Sequence, residues 1–335
     1  MQRVLIDTDP GMDDALALIL ALRSPELSVE AIACATGNLT ADRSAANALK
    51  VLDLIGAPTI PVAQGPLTPL VRPYPKDPFS HGDDGLGNTG LPISARSLDP
   101  RSAPQLIVDT VRRFPDEVTI VELAPMTNLA IALLAAPDIV KKIVRVVAIA
   151  GAFGFDEHSG FYATGDNPVS EWNVYVDPDA ARIVIRSGVR LMAIGVDVWG
   201  RAEANFRPDH RAALEASSDP AAAFAVAMSQ FVESRHYMTY SVQIDAMAVA
   251  AVIDPTLFET ERLRVDIETV SPLTLGQTVV DRRRHHPWTA LPEIEAARSA
   301  AYGRYLDRLV ATLCGTPERS PAARSTVGLG TGTRA

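Results

Sequence analysis

Four carboxylates fall within eight residues near the start of the chain. They are Asp7, Asp9, Asp13 and Asp14, in the run VLIDTDPGMDDALALILAL. Like charges this close repel one another unless a cation or bound protons compensate them. Arg3 to Ile6 reads as an inner strand running into Asp7. Alternate residues share a strand face, so Asp7 and Asp9 can point the same way if the strand persists. Pro10-Gly11 breaks it. Met12 to Leu22 is Ala- and Leu-rich and reads as a helix. Asp13 and Asp14 fall in its first turn, where exposed N–H groups favour anions. Ordinary capping accounts for one or two of these acids. It does not account for four behind an apolar strand, so the cluster predicts a site.

The pattern repeats along the N-terminal half. Strands are expected at Val29 to Thr36, Ile60 to Val62, Val118 to Leu123, Ile143 to Ala150 and Val189 to Ile194. Between them, helices are expected at Thr40 to Ile55, around Thr127 to Ala135, and over 178–187. This alternation predicts an α/β protein with a mostly parallel sheet covered by helices. In such sheets ligands bind beyond the carboxyl ends of the strands. Four polar segments occur at those ends: Asp7-Thr8-Asp9, Gly37-Asn38, the stretch 124–128, and the residues after Ala150.

The rest of the chain is less regular. Residues 65–104 are rich in Pro, Gly and Asp and contain HGDDGLGN at 81–88, where three glycines allow either a surface excursion or a lid carrying His81 inward. A helix is expected over Pro220 to Tyr237. Asp245 precedes an apolar helical run, where it is either an N-cap or a site residue. Gly276 to Asp281 reads as a strand and Tyr302 to Cys314 as a last helix. One folded unit over 1–315 and a disordered tail over 316–335 are expected, the latter from its Gly, Ser, Thr, Arg and Pro content. His285, His286 and Trp288 read as a surface turn. No internal repeat is visible.

Composition narrows the partners. The 335 residues are 47% hydrophobic, ample for a large core. A net charge of −9 without a basic tract disfavours nucleic acid. Only Cys34 and Cys314 are present, so neither a disulfide framework nor a structural zinc site is expected. No signal peptide or membrane span is legible, and a cytoplasmic location is expected.

The run DTDPGMDDALAL resembles the signature of the inosine-uridine preferring nucleoside hydrolases. TGN at 36–38, HGDDGLGN at 81–88, APMTNLA at 124–130, GDNPVSEWN at 165–173, the Asp245 segment and DRR at 281–283 follow in the family's order. The resemblance covers about residues 3–313. It implies a single large domain with a Rossmann-like sheet, one Ca2+ in a deep pocket, and hydrolysis of the N-glycosidic bond of ribonucleosides. It also implies a homodimer or homotetramer. Carried over residue by residue, Asp9, Asp14, Asp245 and the carbonyl of Thr127 would hold the ion. Asp13 would deprotonate the attacking water, with Asp7 supporting the acidic network. Asn38, Glu171 and Asn173 would bind ribose hydroxyls, with Asn167 near the 5′-hydroxyl. The chemistry is coherent, because calcium takes six to eight oxygens and leaves room for water and a vicinal diol. Nearby anions also stabilise an oxocarbenium-like sugar.

Departures concern the leaving base. One family branch places a histidine just before the last metal-binding aspartate, but here that residue is Ile244, which cannot donate a proton. A purine-selective branch sandwiches the base between tryptophans, and no tryptophan is near His81 in sequence. Ile149 stands where a Met-Gly-Gly turn is common and would touch the sugar from below. His81, His236 and Tyr240 remain as groups for the base, Tyr237 lies nearby, and Arg235 is either a rim contact or an ion-pairing residue. Two other functions share parts of this pattern. A phosphatase with an aspartate nucleophile shares the DxD opening but needs a hydroxyl that PGMDDA does not supply. A non-catalytic nucleoside- or ribose-binding protein is compatible with Ile244, although it does not require all four acids.

Overall fold

The computed structural model describes residues 1–76, 80–155 and 163–316. Its sheet begins with β1 (Gln2–Thr8), whose last five residues are buried. Parallel neighbours flank it on both sides: β2 (Leu27–Cys34) and β4 (Val118–Glu122). Side chains alternate between faces. Val4 and Ile6 join one apolar cluster, while Leu5 joins the other. A strand covered on both faces needs the continuous apolar run that this sequence has.

Nine strands form the sheet in the order β3-β2-β1-β4-β5-β6-β9-β7-β8. The remaining strands are β3 (Val62–Gln64), β5 (Ile143–Ile149), β6 (Leu191–Ile194), β7 (Phe258–Ile267), β8 (Thr278–Val280) and β9 (Glu293–Ala300). The run 3-2-1-4-5-6 is that of doubly wound nucleotide-binding sheets, whose order reverses between β1 and β4. Connections there diverge to opposite faces and leave a crevice. β9 continues the sheet parallel to β6, while β7 pairs antiparallel with both β9 and β8.

Helices cover both faces. The first layer includes α1 (Met12–Arg23), α2 (Ala41–Leu54), α9 (Pro220–Ser234), α10 (Ala246–Ile253) and α11 (Tyr302–Leu313). The second is built from α3 (Ala103–Arg113), α4 (Thr127–Ala135) and α6 (Pro178–Arg186). Shorter helices α5 (Trp172–Val176), α7 (Val196–Trp199) and α8 (Pro208–Ala216) complete the set among the described residues. α1 is buried from Met12 through Ala21, because it is apolar on every side and lies between the sheet and other helices. Its far end is pinned by Arg23, which forks onto Asp219 at 2.9 and 3.0 Å and reaches the Thr312 carbonyl of α11.

The expected strands and helices of the N-terminal half are present to within a few residues. Four elements went unread: α3, α5, β7 and β9. β7 and β9 lie in the mixed, antiparallel part of the sheet and alternate charged with apolar residues (FETERLRVDI, EIEAARSA). They lack the apolar runs of the buried strands. α9 stops at Ser234 rather than Tyr237, because the chain turns through His236 at φ 64°. The tail beyond 316 lies outside the described residues.

The core makes a direct prediction. Leu16 of α1 is fully buried, so Leu16→Ala should cost about 2–5 kcal/mol. Leu134, 61% exposed, should tolerate the same change with little loss. Denaturant midpoints of the two variants check this, and equal losses would contradict the packing described.

Candidate active site

The acids of the opening run meet at the β1–β4 crevice. Asp7, next to last in β1, is fully buried, as are Asp9 and Asp14, while Asp13 is 7% exposed. Asp14, third residue of α1, turns back to the Gly11 N–H at 3.0 Å, which is half of a capping box. Capping therefore explains part of Asp14's position. It also accepts the Asp9 N–H, the Thr8 hydroxyl and the Asn38 amide. Asp9 accepts the Asn38 backbone N–H at 2.5 Å. A Cβ on Gly37 would overlap the Asp9 carboxylate, so this approach requires glycine.

Asp245 arrives from the opposite side as the residue before α10. It makes no side-chain cap bond, which removes the N-cap reading. Ligand oxygens of Asp13, Asp14 and Asp245 lie within 4.8 Å of one another. Oxygens about 2.3–2.6 Å from a calcium ion are at most about 5 Å apart across it, so this spacing suits that ion. The unpaired atoms point the same way. Asp9 Oδ1 and Asp13 Oδ1 are buried without a hydrogen-bond donor, a costly arrangement unless a cation or proton answers it. Burial pushes the Asp13 carboxyl up to about 7, against the pull of nearby His81. Asp9 and Asp245 rise well above the usual range through burial and the neighbouring acids. A cation would reverse these shifts by favouring the ionised forms. The residues therefore fit Ca2+.

Behind the cluster, Asp7 accepts the Asn128 amide at 2.8 Å. Gly65 leaves room for Asn128, whose Oδ1 a Cβ there would strike. In register beside Asp7 is Glu122, fully buried with both carboxyl oxygens lacking a donor. Burial pushes Asp7 to about 7, and burial together with Asp7 pushes Glu122 well up. Glu122 was not singled out from the sequence, yet its signal matches that of Asp7: one acid closing an apolar strand. Thr127 opens α4 and anchors its hydroxyl on Asp177 at 2.6 Å.

Above the acids is a cavity of about 410 Å3, lined by Asp13, Asn38, His81, Ile149, Glu171, Asn173, Tyr240, Ile244 and Asp245 among others. Glu171 caps α5 through the Asn173 and Val174 N–H groups, takes the Gly151 N–H, and is pushed to about 7 by burial. The Asn173 amide is fixed by the carbonyls of Leu123 and Ile149 at 2.8 and 3.0 Å. His81 Nδ1 accepts the Met12 N–H at 3.1 Å. Its ring hydrogen in this arrangement is on Nε2, so the 3.8 Å approach of Nδ1 to Asp13 is not a hydrogen bond. The turn carrying His81 is tethered rather than hinged: Asp84 and Asn88 accept its own N–H groups, while Asn47 and Arg43 hold the Asp84 and Asp83 carbonyls.

Two expected residues are elsewhere. His236 is exposed at the end of α9 and is not on the cavity wall, because that helix terminates one turn before the pocket. Asn167 is also absent from the wall: its amide donates to the Leu275 carbonyl, and its oxygen accepts from Val169 and Ser170. The structure adds Trp172 and Trp199, distant in sequence from His81 but on the same cavity wall. Trp199 is tilted against Tyr240 at 6.3 Å. His285 and His286 are in an exposed turn.

Comparison with known proteins agrees with this geometry. The profile of the inosine-uridine preferring nucleoside hydrolases matches residues 4–307. The chain is 37% identical over 291 residues to the inosine-uridine preferring nucleoside hydrolase of Leishmania major, covering 85% of this chain and 90% of that one. It is 36% identical over 283 residues to the pyrimidine-specific ribonucleoside hydrolase RihA of Citrobacter koseri, covering 83% and 88%. The solved plant nucleoside hydrolase PpNRh1 superposes with a TM-score of 0.83 at 31% identity, over 93% of this chain and 99% of that one. The chemistry is calcium-assisted hydrolysis of the N-glycosidic bond of a ribonucleoside, releasing ribose and a base. With an acidic cation site under a nucleoside-sized cavity and matches over most of its length, this chain belongs to the inosine-uridine preferring nucleoside hydrolase family.

Proposed function

We propose a division of labour for this ribonucleoside hydrolase in which Asp9, Asp14, Asp245 and the Thr127 carbonyl hold calcium and Asp13 takes the proton of the attacking water. The supporting observation is that, among the described residues, Asp13 alone combines a buried oxygen lacking a donor with a place on the cavity wall. Calcium, when bound, supplies charge that acidifies a water and takes the vicinal hydroxyls of ribose as oxygen ligands. Asn38, Glu171 and Asn173 orient those hydroxyls. A 2′-deoxyribose would leave part of this polar set unmatched, and such sites discriminate strongly. Ile149 and Ile244 supply apolar wall, and His81 and Tyr240 face the base. Asn167 acts at one remove by shaping the loop around Glu171.

Further expectations go with this reading. The folded unit spans 1–315. Its relatives range from a pyrimidine-specific to an inosine-uridine preferring hydrolase, so base preference depends on the wall rather than on the acid cluster. No described helix is long and apolar enough to cross a membrane. Two free cysteines support a reducing cytoplasm. A net charge of −9 speaks against nucleic-acid partners, and the family resemblance supports a homodimer or homotetramer, which sedimentation would distinguish.

Ribose release from inosine, uridine, cytidine and adenosine tests the activity directly. Release is expected with calcium and lost on chelation; none from any of the four would refute the assignment. Asp13→Asn should bind calcium normally and lose about 10²–10⁴-fold in turnover. If Asp9→Asn were the variant that keeps calcium and loses turnover, the proton would belong to Asp9.

The buried acids also set a pH dependence. Asp7 and Asp13 are raised in the fold from 3.8 to about 7. Between those values the folded, calcium-free chain holds protons that the unfolded chain has released, so its stability falls as pH rises through that window. Calcium competes with those protons and should stabilise more at pH 8 than at pH 5. Thermal melts with calcium or chelator at both pH values check the sign. A larger calcium effect at pH 5 would contradict it.

A further inference from the structure

Ile244 leaves open how the base departs. On breaking the bond between C1′ and nitrogen, the electron pair stays with the base, which leaves negatively charged unless it is protonated in the same step. Among the described residues, the wall of the catalytic cavity offers that charge no cationic side chain. Its described wall contains Asp13, Asp166, Glu171 and Asp245, but neither lysine nor arginine.

A second cavity of about 530 Å3 adjoins it, and Asn38 and His81 line both. Its charges are opposite: among the described residues, Arg43, Lys76 and Arg235 face one acid, Asp83. Thr40, the N-cap of α2, lies on the same wall, so a 14-residue helix directs its positive end there as well. In a protein of net charge −9, three cations on one cavity wall are a local reversal of the field. His81 forms the partition, and with Nδ1 occupied by the Met12 N–H its Nε2–H is the remaining donor.

We propose that this second cavity is an anion-binding antechamber on the leaving side of the site, where Arg43, Lys76 and Arg235 stabilise the negative charge that the nucleobase carries off. The inference rests on the hydrolase reading above and supplies its missing half. The water oxygen bonds to C1′ as the bond to the base nitrogen breaks. One water proton goes to Asp13, the electron pair goes to the base, and the base anion takes a proton from solvent after it leaves. Four acids on one side and three cations on the other also give the departing anion a direction. The favoured substrates are ribonucleosides whose bases form stable nitrogen anions.

The test compares the best ribonucleoside of the panel with 4-nitrophenyl riboside, whose leaving group departs as a stable anion unaided. The calcium-loaded full chain and its Lys76→Gln/Arg235→Gln variant are assayed on both. The variant should lose about tenfold in kcat/KM on the ribonucleoside, less than the 10²–10³ of an enclosed oxyanion donor. On 4-nitrophenyl riboside it should lose less than about twofold. The charge-keeping Lys76→Arg/Arg235→Lys variant should recover most of the loss. Equal losses on both substrates, no loss on either, or no recovery by the charge-keeping variant would overturn the antechamber while leaving the hydrolase reading intact. Failure of the unmodified chain to release ribose from any ribonucleoside would overturn both.

Discussion

Burial of carboxylates at one point of a sheet is the constraint on which the rest of this structure depends. Asp7, Asp9, Asp14, Glu122 and Asp245 are each at most 3% exposed, and Asp13 is only slightly more open. No lysine or arginine hydrogen-bonds any of them among the described residues. Such a group is tolerable only if something positive completes it. The fold provides for this by holding Asp7, Asp9 and Asp14 through neutral donors. Amides, hydroxyls and backbone N–H groups fix their directions without cancelling their charge, so the field remains available to an ion and to a sugar becoming positive.

The same donors explain why so many elements end here. β1 supplies Asp7, the turn after it Asp9, the first turn of α1 Asp13 and Asp14, and the start of α10 Asp245. Asn38 and Asn128 come from the ends of two further units. Each is at a chain reversal, where backbone N–H groups lack partners and polar side chains are already needed. The reversal of strand order between β1 and β4 creates the space, and the acids occupy its floor. Above them the surroundings divide by charge. The wall shared with the acid cluster is acidic, while the far side of His81 is basic.

Much of this was legible in the residues. The buried parallel strands announce themselves as apolar runs, and the acids that end them stand out because nothing else in those runs is polar. The reading was weaker wherever a signal is shared by two structures. β7 and β9 resemble solvated segments because half of each faces polar surroundings. Glu122 was passed over although it closes its strand as Asp7 does, because it stood alone while Asp7 had three neighbours. Trp172 and Trp199 were discounted through distance along the chain, which the fold does not preserve. His236 failed for the opposite reason: it is near Tyr240 in sequence, but the turn at the end of α9 carries it outward.

One further connection runs the length of α1. The helix carries two of the site's acids at one end, and at the other Arg23 binds Asp219 and the last turn of α11. Because α1 is encased along ten consecutive residues, it transmits displacement as a rod does rather than absorbing it. The last described helix is thus mechanically in series with the opening acids. Anyone trimming the chain into α11 is working on the same lever that sets the spacing of the acid cluster.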